Sequence, residues 1–221
     1  MNNPKPTIGI LGAGKLGTVL AQLAIKAGYQ VYIAGSSDAD KISLSVKIIT
    51  PGALAVTANA AITHADTVIL ALPLGKYQNL PATALEDKLV IDAMNYWWEV
   101  DGDMPQLKSK ASSSEMVQSY LKDARVVKAL SHMGYHNLYD DARPTGAPNR
   151  KAIAIAGDNN ADNALVSKLV DDLGFDPIVI GELSTGKYLE PGSPMFGASI
   201  SANEVQTLLS GTKPDYSTKR F

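Results

Sequence analysis

The sequence predicts an α/β protein, a Rossmann-type parallel sheet with a smaller C-terminal lobe, and three observations predict it. Short β-branched runs alternate with longer amphipathic segments from Thr7 onward, the rhythm of right-handed crossovers on a parallel sheet. The run Val68 to Leu72 is apolar throughout, which suits a strand covered on both faces. Between the first short run and the first amphipathic segment stands Gly12-Ala13-Gly14-Lys15-Leu16-Gly17, a G-x-G-x-x-G turn in the strand-to-helix context that gives the motif its meaning.

Taken in order, Thr7 to Leu11 reads as a strand, Leu16 to Ala27 as a helix, Val31 to Ala34 as a strand and Lys41 to Ile49 as a helix. A weak strand at Leu54 to Val56 and a short helix near Asn59 to His64 lead to the buried strand Val68 to Leu72. A helix-like stretch follows Pro73, and Leu89 to Asp92 is a further strand. From Met94 to Lys110 the texture is loop-like and carries both tryptophans, Trp97 and Trp98. Ser112 with Glu115 three residues on forms a capping box that starts a helix to about Leu121. Arg125 to Leu130 is a sixth strand, and His136 to Asn149 is polar and turn-rich. A strand at Ala152 to Ala156, a helix from Asn160 to Leu173 and a strand at Pro177 to Ile180 follow. A Gly- and Pro-rich stretch, Gly181 to Gly197, then precedes an apolar segment, Ile200 to Leu209, read as an exchanged or docked helix. The expected division is a nucleotide-binding domain over 1–131 and a lobe over 132–221 that closes the cleft.

Composition narrows the function. The 221 residues include no cysteine, which excludes disulfide scaffolds, thiolate metal sites and cysteine nucleophiles. With 20 Lys plus Arg against 22 Asp plus Glu, the chain has no electrostatic footprint for nucleic acid or anionic membrane, so an anionic ligand must be held locally. Met1 to Pro6 is short and polar with no secretory signal, no run reaches the roughly 20 apolar residues of a membrane helix, and cytoplasm is the expected location.

The glycine turn supplies that local grip, and it makes the sheet an NAD(P)-binding one. Gly12 allows the tight turn, Gly14 lets the backbone approach a pyrophosphate, and Gly17 lets the helix pack close to the strand. Free N–H groups at the helix start then meet the phosphates. An NAD site typically places an acidic residue at the end of the second strand. Here Ala34-Gly35-Ser36-Ser37-Asp38 stands there, with Lys41 one helical turn after Ser37, an arrangement that favours NADP(H). The alternative is that Lys41 is a solvated helix residue and the serines merely cap its helix, and Asp38 would face the ribose if the strand ended later.

These blocks resemble the coenzyme F420-dependent NADP oxidoreductases, also called NADPH-dependent deazaflavin reductases. The resemblance runs over about residues 7 to 185 and rests on Gly12 to Gly17, Gly35-Ser36 with Lys41, Leu72-Pro73, Ser112 to Glu115, Val126 to Leu130 and Gly157-Asp158. It implies that Gly12, Ala13, Gly14, Lys15 and Leu16 hold the pyrophosphate, and that Ser36, Ser37 and Lys41 hold the 2′-phosphate. Leu72, Pro73, Leu74 and Gln78 would border the nicotinamide half, with Asn95 and Tyr135 completing the cofactor set. The loop after the sixth strand would form the reaction cleft near His132 and Tyr135. The resemblance also implies a homodimer. Two departures stand out: Ser37 occupies the place of an arginine, and Leu74-Gly75-Lys76 replaces a Trp-Glu-His-type run.

The expected reaction is hydride transfer between NADPH and a deazaflavin (F420) or flavin-like small-molecule acceptor. Such ring systems carry the chemistry themselves, so the protein supplies proximity and exclusion of water. His132 is the acid/base candidate, against a loop histidine that is merely hydrogen-bonded. No metal site is expected, since Gly134 between His132 and His136 argues against a helical ligand pair. Tyr96, Trp97 and Trp98 either stack on a flat ring or plug a lobe interface. Two other readings stay open: a catalytically silent NADP(H)-binding redox sensor, and a reductase of a small imine or ketone.

Overall fold

A computed structural model describes residues 5–108 and 112–211. The outermost ends of both expected segments, 1–4 and 212–221, and the close of the aromatic stretch lie outside the described residues.

The first half alternates as expected. β1 (Ile8–Leu11), α1 (Lys15–Lys26), β2 (Val31–Ala34), α2 (Asp40–Ile49), β3 (Leu54–Ala55), α3 (Ala58–His64) and β4 (Thr67–Leu70) follow one another. The stretch after Pro73 is two 3-10 turns, Leu74–Asn79 and Ala82–Leu85, in place of one helix. Pro81 explains the break: it has no N–H to donate and disfavours helical geometry in the residue before it. Next come β5 (Leu89–Asp92), α4 (Trp98–Asp101), a 3-10 turn at Pro105–Lys108, α5 (Ser113–Tyr120) and β6 (Arg125–Lys128). The last third holds α6 (Tyr135–Asp140), β7 (Ala152–Ala156), α7 (Asn160–Leu173), β8 (Asp176–Gly181), a 3-10 turn at Leu183–Leu189 and α8 (Ala202–Gly211).

All eight strands form one sheet in the order β3-β2-β1-β4-β5-β6-β7-β8. β1 to β6 are parallel, in registers such as Ile8↔Val31, Ile8↔Thr67 and Leu89↔Arg125. Alternation within the strands divides the core. Ile8, Ile10, Ile33, Ile69, Ile91 and Val127 face α1 and α7, whereas Leu11, Val68, Leu70, Val90 and Val126 face α3, α5 and the 3-10 turns. Both faces are thus covered, the condition under which parallel strands read as continuous apolar runs.

The last third extends this sheet and has its own small core of Ala152, Ala154, Leu189, Met195 and Val205. β7 departs from the parallel pattern, meeting β6 through a single antiparallel pair, Lys128↔Ala156. A side chain takes the place of the ladder there: the Ala154 N–H donates to His132 Nε2 at 3.0 Å. α8 docks on β7 and β8 of its own chain, with Val205 fully buried. Among the described residues no helix is long and apolar enough to cross a membrane.

Candidate dinucleotide-binding site

The glycine turn joins β1 to α1 at the carboxyl ends of the strands, where open α/β sheets bind ligands. Gly12 N donates to Ala34 O at 2.8 Å and Ala71 N to Leu11 O at 2.8 Å, which pins the turn between its two neighbouring strands. Gly12 has φ +126°, and a Cβ there would fall inside the Ala71 carbonyl oxygen. A Cβ on Gly17 would likewise overlap the Gly12 carbonyl oxygen. Gly14 is different: it is extended, and a Cβ on it would meet nothing within 4 Å. It caps α1 without a side-chain hydrogen bond, so the first-turn N–H groups stay available for an anion.

A groove of about 660 Å³ opens over this turn. Leu11 to Gly14 form its floor; Gly35, Ser36, Ile42 and Ala58 line one side, and Ala71 to Pro73, Lys76 and Asn79 to Pro81 the other. A turn that requires glycine at positions 12 and 17 and leaves open space over Gly14, beneath a groove of this length, suits a dinucleotide; its one lining cation is Lys76.

Of the expected residues, Gly12, Ala13, Gly14, Ser36, Leu72 and Pro73 come together here. Lys15 turns toward the C-terminal side, with Nζ 5.5 Å from the Tyr135 ring centroid. Leu16 packs against the core and Gly17 is buried. Ser37 and Lys41 are exposed and outside the groove lining. Leu74 is fully buried among Leu70, Tyr77 and Leu85, because the 3-10 turn after Pro73 rotates it inward. Gln78 faces solvent and only its carbonyl is engaged, accepting from Tyr120 Oη at 2.6 Å. Asn95 is half-buried beyond β5, its Nδ2 donating to the Ser131 carbonyl at 2.6 Å. Sequence reasoning passed over Lys76, Ile42, Ala58 and Asn79 to Pro81. Lys76 was visible as a basic residue in the departure after Pro73, but only the fold shows which way that segment turns.

His132 has a different part from the acid/base one expected. Its side chain is 1% exposed and Nε2 is occupied by the Ala154 N–H. Burial pushes its pKa down to about 4, against a weaker opposing contact with the Met195 backbone. It is a neutral acceptor that fixes β7, not a proton donor in the cleft. Because the folded pKa lies below the unfolded value of 6.5, its stabilising effect is full above pH 6.5 and is lost as pH falls toward about 4. The loss across that window amounts to about 3 kcal/mol. His132→Gln can still accept from Ala154, and denaturant titrations between pH 7.5 and 4.5 should show a flatter pH dependence in that variant than in the wild type.

The groove and its cradle lie within the segment that matches a known family. Residues 7–96 match the family described as NADP oxidoreductase, coenzyme F420-dependent. The match covers 90 of the 221 residues. Among solved structures, it resembles a hypothetical protein of Sinorhizobium meliloti at 26% identity and TM-score 0.78, covering 89% of this chain and 96% of that one. A proposed F420-dependent NADP reductase of Arthrobacter sp. FB24 shares the fold at 24% identity and TM-score 0.70, over 83% of this chain and 88% of that one. Metalloreductase STEAP3 of Rattus norvegicus is 23% identical over 188 residues, 84% of this chain and 36% of that protein. The chain spans little more than a third of the length of the curated relatives it matches. The eight-stranded, mostly parallel sheet is thus a fold shared with these solved structures.

Proposed function

We propose that this protein is an NADP(H)-dependent reductase of a flat small-molecule acceptor of the deazaflavin or flavin type. The observation that carries the reading is the Gly12–Gly14 cradle under an α1 terminus left uncapped. Its backbone N–H groups hold the pyrophosphate, Lys76 balances phosphate charge across the groove, and Ser36 at the end of β2 donates toward the 2′-phosphate. NADPH, when bound, supplies the hydride.

A loop beside the groove supports a flat acceptor. Asp101 Oδ1 accepts from Gly75 N and Oδ2 from Trp97 N, both at 2.8 Å, while Tyr96 Oη donates to Gly102 O at 2.8 Å. These bonds fasten the tryptophan loop to the segment after Pro73 while Trp97 and Trp98 remain about half exposed, at 49% and 58%. The Trp97 ring meets Phe196 edge to face, with centroids 5.5 Å apart, and its exposed half offers stacking surface beside the groove. Reduction of a small imine or ketone calls for a proton donor at the reacting atom, and His132 is not available for that. By family resemblance the working form is a homodimer.

Titration calorimetry tests the cofactor half. NADPH is expected to bind at least about tenfold more tightly than NADH, and Lys76→Ala to weaken NADPH binding about tenfold through loss of one charge-assisted contact. NADPH oxidation with added flavin or deazaflavin tests the acceptor half. Tight nucleotide binding with no acceptor reduced would favour the silent sensor.

A further inference from the structure

We propose that Asp101 is a positioning residue that ties the tryptophan loop to the Lys76 wall of the groove, so that filling the groove is felt at Trp97 and Trp98. This rests on the dinucleotide reading above and adds a link between its cofactor and acceptor halves. One carboxylate holds both segments: Oδ1 accepts from Gly75 N and Oδ2 from Trp97 N, each at 2.8 Å. Gly75 immediately precedes Lys76, the cation of the groove lining, and Trp97 immediately precedes α4, of which Asp101 is the last residue.

Gly75 is fitted to this contact. A Cβ on it would meet Asp101 Oδ1 at 3.2 Å and Asp101 Cβ at 3.3 Å, closer than a side chain ordinarily packs. The run Leu74-Gly75-Lys76, which replaces the Trp-Glu-His-type run, therefore leaves room for the carboxylate that fastens it. Leu74 and Tyr77 anchor the inner side of this 3-10 turn by burial, whereas Gly75 and Lys76 are exposed. Lys76 N donates to Pro73 O at 3.0 Å within the turn, and Asp101 adds the hold from outside. A glycine has no side chain to pack and wide backbone freedom, so an external hydrogen bond is the means of fixing the peptide ahead of Lys76.

On the other side of the contact the tryptophan loop is closed on itself. Asp101 N and Val100 N donate to Trp97 O at 2.7 and 2.9 Å, and Gly102 N donates to Trp98 O at 2.9 Å. Tyr96 Oη reaches the Gly102 carbonyl at 2.8 Å. A loop bonded in this way shifts as a unit when its anchor shifts. A displacement of the Gly75–Lys76 peptide by bound phosphate thus reaches both indole rings through one side chain. The linkage is reciprocal: a flat ring stacked on the tryptophans favours the arrangement that holds the cofactor.

Both tryptophans of the chain lie in this loop, so tryptophan emission reports on it alone. The probe is 2′,5′-ADP, which fills the phosphate part of the groove and carries no nicotinamide ring to quench an indole directly. In the wild type, emission is expected to change with the same half-saturation that calorimetry gives for 2′,5′-ADP. Asp101→Ala should weaken 2′,5′-ADP binding about three- to tenfold and abolish the emission change at saturation. Gly75→Ala should do the same from the opposite side of the contact, with a backbone conformation open to alanine, and it keeps the test in place if Asp101→Ala folds poorly. Asp101→Asn, which retains an acceptor for one of the two N–H groups, should fall between. An emission change in Asp101→Ala or Gly75→Ala equal to that of the wild type would overturn the link, as would a wild type that binds 2′,5′-ADP with no emission change; both leave the dinucleotide reading standing. A wild type that binds neither 2′,5′-ADP nor NADP⁺ by calorimetry would remove that reading, and the link with it.

Discussion

Replacing Gly14 by valine should leave the protein folded and weaken NADPH binding by at least about a hundredfold. Gly14 is extended and faces open space, so a side chain there strains no backbone and meets no neighbour. The space it fills is that of the pyrophosphate, and two charge-assisted backbone hydrogen bonds at about 1.5–3 kcal/mol each would be displaced. Gly12→Ala should do the reverse and fail mainly in folding. There φ is +126° and the new Cβ would overlap the Ala71 carbonyl, so β1 and β4 must separate or the turn must reshape. Strain of this kind costs about 2–4 kcal/mol. Thermal melts and NADPH titrations of the two variants should therefore give opposite pairs of results: a normal melting temperature with lost binding for Gly14→Val, and a lowered melting temperature for Gly12→Ala. A Gly14→Val variant that bound NADPH normally would place the phosphates elsewhere.

That contrast marks how far the sequence could be read. The order of glycines named the turn, yet nothing in the sequence distinguishes a glycine that clears a carbonyl from one that clears a ligand. Strands β2 and β5 were legible to the residue, since Val31 to Ala34 and Leu89 to Asp92 are apolar runs closed by a turn and by a charge. The Ser112 to Glu115 capping box was legible because both partners lie within one helical turn. α6 was not: Leu138 is its only buried residue, and one buried side chain in six sets no period. Nor was the role of His132, whose partner Ala154 is 22 residues away and belongs to a strand that adds antiparallel. Lys41 and Lys76 show the same limit at the site. Each is a lysine near a plausible phosphate, and only the path of the chain after Pro73 puts Lys76 on the groove.

The deepest departure from a pattern reading is Lys128, and its removal should have the largest effect on stability of any single change away from the glycine turn. In Val126-Val127-Lys128-Ala129-Leu130 a lysine reads as the solvent-facing break in an apolar run. It is instead fully buried, paired with Asp92 Oδ2 at 3.3 Å across the register of β5 and β6. Asp92 also accepts from Met94 N at 2.9 Å and Ser114 Oγ at 2.7 Å. The 3-10 turn after β8 closes over them, since a Cβ on Gly186 would come within 3.3 Å of Lys128 Cγ. Lys128→Met keeps most of the stem but leaves a buried carboxylate without its counter-ion, and should destabilise the chain by about 3–5 kcal/mol. For a chain of this length that lowers the melting temperature by roughly 10 °C. Adding Asp92→Asn removes the stranded charge, keeps Oδ1 as acceptor for Met94 N–H and turns Nδ2 toward Ser114, whose hydroxyl can accept from it, so the double variant should recover more than half of the loss. A double-mutant cycle measures that coupling directly. If Lys128→Met lost less than about 1 kcal/mol, the pair would resemble a surface salt bridge in strength. The turn after β5 would then owe its position to backbone packing rather than to a buried charge.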